Sequence, residues 1–117
     1  MNTTRQKITK IVDELITFFF NVGSDEVKID IKKCSGGYEL SLQSGYLPSE
    51  RKTLEDLNRF LKTVEKNQGL EEFFWELAGA SSLGQSSELH LVGQMIDSAE
   101  VLIDERIVRL KIYKKDD

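Results

Sequence analysis

Three residues carry side chains able to do chemistry on their own: Glu14, the lone cysteine Cys34 and the lone histidine His90. Lys32 and Lys33 precede Cys34, and adjacent cations lower a thiol pKa. A catalytic thiol also needs a base, and none is identifiable. His90 lies among Leu89, Leu91 and Val92, which reads as a partly buried helix residue, and residue types alone assemble neither a Ser-His-Asp nor a Cys-His arrangement. One cysteine excludes an internal disulfide. With only one histidine beside it, a Cys/His zinc cluster is excluded as well. Glu14, in helical sequence, reads as a solvated carboxylate. These residues amount to no catalytic constellation.

The elements that must position them are legible from periodicity. From Thr3 or Thr4 to about Asn21, apolar residues fall at Ile8, Ile11, Val12, Leu15, Ile16 and Phe19, the 3.6-residue spacing of a helix with one buried face. Gly23 and Ser24 end it, glycine suiting the left-handed position beyond the last turn. Val27, Ile29 and Ile31 then alternate with Lys28, Asp30 and Lys32, and Tyr38, Leu40 and Leu42 alternate with Glu39, Ser41 and Gln43. Alternation on both sides of Ser35-Gly36-Gly37 predicts an antiparallel hairpin with one polar face. That face carries Lys28, Asp30, Lys32, Glu39, Ser41 and Gln43, joined by Arg109 and Lys111 from a later strand.

After Gly45 and Pro48, with Ser49 as candidate cap, Leu54, Leu57, Phe60, Leu61 and Val64 predict a helix near residues 50–66. A short helix with Trp75 follows, then a loop of small residues over 79–87. Beyond it, Leu89, Val92, Ile96 and Ala99 read as one face of a further helix capped by Ser86 or Ser87. Val101 and Ile103, then Val108, Leu110 and Ile112, predict a second hairpin turning at Asp104-Glu105. The expected fold class is α+β. It is a two-layer α/β sandwich, with a four-stranded, largely antiparallel sheet of two hairpins and helices on one face.

The 117 residues, 39% hydrophobic and 31% charged, fit one folded domain spanning 1–117. The longest apolar stretch, residues 15–20, is far too short to span a bilayer, and no secretory signal pattern opens the chain. The expectation is a cytoplasmic protein that engages no membrane. A net charge of −4 argues against nucleic acid as a partner, because phosphate neutralisation supplies most of that affinity.

The order helix, hairpin, helices, small-residue loop, helix, hairpin resembles the histidine-kinase-type ATPases (GHKL, or Bergerat, fold), including their anti-sigma-factor kinase domains. That resemblance implies a nucleotide cleft, and it assigns residues to it. The family's metal-binding Glu falls on Glu14, while the Asn four residues later falls on Phe18, which cannot ligate. The family's adenine-binding Asp-x-Gly-x-Gly corresponds to Gln43-Ser44-Gly45-Tyr46-Leu47, keeping Gly45 but losing the carboxylate. The phosphate loop corresponds to a run from Gly84 through Ser86 and Ser87, with Glu88 where a triphosphate would be repelled.

The resemblance therefore implies a former nucleotide cleft at Glu14, Phe18, Gln43, Gly45, Gly84, Ser86 and Ser87, with all three contacting motifs altered. The functional expectation is a non-catalytic regulatory or protein-interaction domain on a degenerate ATPase-like scaffold, set in bacterial signalling or transcription regulation. It takes no cofactor, and its partner is another protein or a second copy. The alternatives are an ATP-binding domain or small anti-sigma-type protein kinase using Mg-ATP, and an unrelated α+β domain holding a small molecule beside residues 79–88. Phe18, Phe19 and Phe20 point in three directions on a helix. Phe18 and Phe20 lie beside the buried stripe and widen it as core or satellite packing, and with Trp75 they are also the interaction candidates.

Overall fold

The computed structural model describes residues 3–66 and 89–116. Helix α1 (Thr3–Asn21) leads into strands β1 (Val27–Cys34) and β2 (Gly37–Gly45). A 3₁₀ turn (Pro48–Glu50) then opens helix α2 (Arg51–Lys66). Helix α3 (Leu89–Met95) and strands β3 (Ser98–Ile103) and β4 (Ile107–Lys115) complete the described chain. The sheet is antiparallel throughout, in the order β1-β2-β4-β3. The α+β class, the two hairpins and the four-stranded sheet are as the alternation predicts.

Register decides which residues face the helices. Leu40 lies opposite Ile112 and Leu42 opposite Leu110 across the central β2–β4 pair, and all four are buried. Against them pack Ile11, Leu15, Phe18 and Phe19 of α1, Leu54, Leu57, Phe60 and Leu61 of α2, and Leu89 and Val92 of α3. Burying side chains of this size contributes roughly 1.5–3 kcal/mol each, so the helix face of the sheet is where the fold is held. The other face carries the expected polar set, with Asp30, Ser41, Lys111 and Glu100 forming one row across all four strands.

Two elements differ in detail from expectation. Ala99 belongs to β3, where it pairs with Ile112, rather than to the preceding helix. The cause lies at Asp97: its main-chain N–H donates to the Tyr113 carbonyl at 3.0 Å, and its Oδ2 accepts from the Lys115 N–H at 2.7 Å. Those bonds draw the chain into the sheet directly after α3. Ser49, expected as a cap, lies inside the 3₁₀ turn beginning at Pro48, a residue pre-set for the start of a helix. The short helix around Trp75, the 79–87 loop and the expected caps Ser86 and Ser87 lie outside the described residues, as does the side chain of Val64.

The end of α1 is a Schellman motif. Ser24 N–H donates to Phe19 O and Gly23 N–H to Phe20 O, both at 3.1 Å, with Gly23 at φ +87°. Leu47 sits directly over this glycine, so that a Cβ there would lie 2.4 Å from Leu47 Cγ. Conformation and space both demand glycine. Gly23→Ala is expected to lower stability by about 1–3 kcal/mol in urea denaturation. Gly45→Ala serves as the comparison, because its Cβ would meet nothing nearer than Arg106 O at 3.7 Å, and it should stay within about 0.5 kcal/mol of the parent.

Candidate functional site

Helix α1 lies on the core side of the sheet. Its first turn reaches β2 where Arg5 Nε donates to the Tyr38 hydroxyl at 3.2 Å, and its far end is tied to the β2 exit where Leu47 N–H donates to Val22 O at 2.9 Å. The positions assigned to a nucleotide cleft distribute over these two elements. Glu14 is buried and paired to Lys10 Nζ at 3.0 Å, an i,i+4 bridge along the helix. Phe18 is 2% exposed, its ring edge-on to Phe19 with centroids 5.8 Å apart. It is therefore core rather than an interaction residue, because it continues the stripe from Ile11 and Leu15 by one further helical step. Phe20 points the other way and is 62% exposed.

Gln43 lies on the opposite side of the sheet. Alternation along β2 sends Leu42 and Ser44, both buried, toward opposite surroundings from Gln43's own: Leu42 meets the helices, and Gln43 faces away from them. There Gln43 Oε1 accepts from Arg109 Nε at 3.2 Å, beside the Lys111–Glu39 pair at 3.8 Å. Glu14 and Phe18 are thus separated from Gln43 by the thickness of the sheet. The fold does not bring the metal-side and adenine-side positions together. Gly84, Ser86, Ser87 and Trp75 lie outside the described residues, and so does the side chain of His90.

Gln43 and Gly45 do meet at one place, a notch of about 440 Å³ at the end of the sheet. Its walls come from the α1–β1 link, the β2 exit and the β3–β4 turn, including Gly23, Leu47 and Arg106. The Tyr46 hydroxyl donates to the Asp104 carbonyl and accepts from Arg51 Nη1 at 3.3 Å, which ties β2, α2 and the second hairpin together there. Asp25, Glu26 and Glu105 line the notch, with Arg106 as the cation among its lining residues. An acidic rim of that kind repels a triphosphate. Leu47, 53% exposed, adds an apolar rim. The sequence carries no signal for Leu47, because it falls where the strand alternation has already stopped.

At the other end of the sheet, the hydrogen bond to Asp116 raises the Lys33 ammonium above its ordinary pKa, and the bond to Tyr38 does the same for the Arg5 guanidinium. Lys33 Nζ also lies 4.7 Å from the Tyr38 ring centroid, a cation–π distance. These contacts fasten the start of β2. Among the described residues, no group of three or more His, Cys, Asp or Glu is placed to hold a metal ion, and no helix is long and apolar enough to cross a membrane.

Compared with known proteins, the chain matches no family, no curated protein and no solved structure.

Placing an amide at position 18 tests how firmly the core holds that side chain. Phe18→Asn should cost at least about 3 kcal/mol, through the lost ring and a buried amide. Phe20→Asn should cost less than about 1 kcal/mol. Both are read from chemical denaturation.

Proposed function

We propose that this chain is a non-catalytic regulatory or protein-interaction domain built on a degenerate histidine-kinase-ATPase-like scaffold, working in bacterial signalling or transcription regulation. One observation carries the reading: Glu14 and Phe18 lie under the sheet in the core layer, while Gln43 lies above it, bonded to Arg109. Groups that must hold the adenine and the metal of one nucleotide have to converge on it, and these diverge. An α+β class and a four-stranded antiparallel sheet support this reading at the coarse level. They do not themselves carry function, which resides in sites.

In this reading the partner is a protein, and the working surface is the α1 end of the sheet. Phe20 and Leu47 expose apolar area there, beside the acidic rim of the notch. Large apolar side chains ringed by charge are the usual anchors of protein recognition. No nucleic acid, membrane or cofactor takes part.

Thermal unfolding with and without Mg-ATP and Mg-ADP is the test. A nucleotide present at a hundred times its Kd stabilises by about 2.7 kcal/mol, which raises the Tm of a chain this size by roughly 10 °C. No shift at millimolar nucleotide is the expected result. A rise that disappears in Gln43→Ala would instead make the chain a nucleotide-binding protein and sink the interaction reading.

A further inference from the structure

We infer that the free edge of β1 pairs antiparallel with β1 of a second copy of this chain, about a two-fold axis at Ile29. This goes beyond the interaction reading above by naming a second copy as partner at a different surface. Both outer strands, β1 and β3, have an unpaired edge among the described residues, but they are guarded differently. The helix-facing side of β3 is covered by α2, with Ala99 buried. On β1, Val27 and Ile29 are half-buried and Ile31 is 46% exposed. The strand pairs with β2 over eight consecutive residues without a bulge and contains no proline. Two common devices that block edge pairing are therefore absent from it.

The main chain of β1 presents its free groups in a defined pattern. Asp116 N–H donates to Gly36 O at 2.9 Å, so along β2 the main-chain groups of Tyr38, Leu40 and Leu42 turn to β4, and those of Glu39, Ser41 and Gln43 turn to β1. Their partners on β1 are Lys32, Asp30 and Lys28. The N–H and C=O groups of Val27, Ile29, Ile31 and Lys33 are consequently the ones that point outward. A second strand can bond only by matching these with its own outward-facing residues, which leaves registers centred on Ile29, Asp30 or Ile31.

Charge selects among the three. Along the polar side, Glu26, Lys28, Asp30 and Lys32 alternate in sign, with Lys28 3.7 Å from Glu26 and Lys32 3.5 Å from Asp30. A four-member alternating stripe is complementary to its own reversal. Centred on Ile29, Lys28 meets the second copy's Asp30, and Glu26 meets its Lys32. On the other side Ile29 meets its own copy and Val27 meets Ile31. Centring on Asp30 sets Asp30 against Asp30 and Lys28 against Lys32. Centring on Ile31 pairs Ile29 with Lys33. Opposite-charge and apolar cross-strand pairs stabilise an antiparallel sheet and like charges destabilise it, so only the Ile29 axis satisfies both sides. Joined this way, the two sheets become one of eight strands with the described helices on one face.

The test uses the full chain in sedimentation velocity at several concentrations, with K28D, D30K and their equimolar mixture. The wild type should form a reversible dimer of twice the 13.4 kDa chain mass. Each reversal should weaken it at least tenfold by placing like charges opposite each other twice. The mixture should regain a heterodimer, because positions 28 and 30 are then both basic in the D30K chain and both acidic in the K28D chain. Hydrogen exchange should show amides of Val27, Ile29 and Ile31 slowing as wild-type concentration rises. A wild type monomeric at every concentration overturns the pairing, and so does a dimer indifferent to both reversals. A dimer weakened by D30K but not by K28D overturns the Ile29 axis. Each of these leaves binding of another protein untouched, whereas nucleotide-dependent stabilisation would defeat the interaction reading without altering the dimer result.

Discussion

The pairing of β2 with β4 is the constraint on which the rest of this structure depends. Each hairpin forms between neighbours in sequence, but the central pair joins segments some seventy residues apart, from Gly37 opposite Lys115 to Gly45 opposite Ile107. Such a contact bears the full loop-closure entropy before it returns any burial. What it returns is the floor of the core, with Leu40, Leu42, Leu110 and Ile112 sealed beneath three helices. Gly37 marks how closely the strands approach: a Cβ there would lie 2.3 Å from the Lys114 carbonyl oxygen. Asp97 secures the same junction from the other side, bonding the start of β3 to the end of β4.

That central pair also sorts the chain's chemistry. Once Leu40 and Leu42 face the helices, the intervening residues of β2 must face away, since a strand alternates sides at every residue. Gln43 is thereby committed to the open face with Arg109, and Glu14 to the far side, where Lys10 neutralises it within the same helix. A helix carrying Phe18 and Phe19 packs with both rings buried in the core. The same alternation places the charges of β1 on one side and its Val and Ile residues on the other. Self-complementarity of that strand is therefore a property of its order as much as of its composition.

Burial of polar groups follows the same layering. Asp56, on α2, is 1% exposed, yet Lys52 lies 2.7 Å and Arg59 3.7 Å from its Oδ1, both along the same helix. Lys114 is buried on the helix side of β4, 3.7 Å from Asp97. A buried charge persists only when paired. Here the partners come from nearby turns of a helix or from the ends of the sheet, and the centre of the core is left apolar.

The sequence by itself determined the elements and their buried faces. Helical spacing from Ile8 to Phe19, alternation through both hairpins and the glycine at the end of α1 are local signals, because helix and strand geometry act over a few residues. The polar sheet face was legible on β1, β2 and β4 for the same reason, though not on β3, where Glu100 and the exposed Leu102 complete it. Placement of Ala99 was not, since only the bonds from Asp97 to a distant strand decide where helix yields to sheet. Nor was the divergence of Glu14 and Phe18 from Gln43, or the burial of Phe18 beside an exposed Phe20. Those depend on how α1 packs onto the sheet, a relation that only the tertiary structure sets. Tertiary structure alone decided which candidate residues share a surface, because packing fixes which faces look inward and the sequence pattern records only that such faces exist.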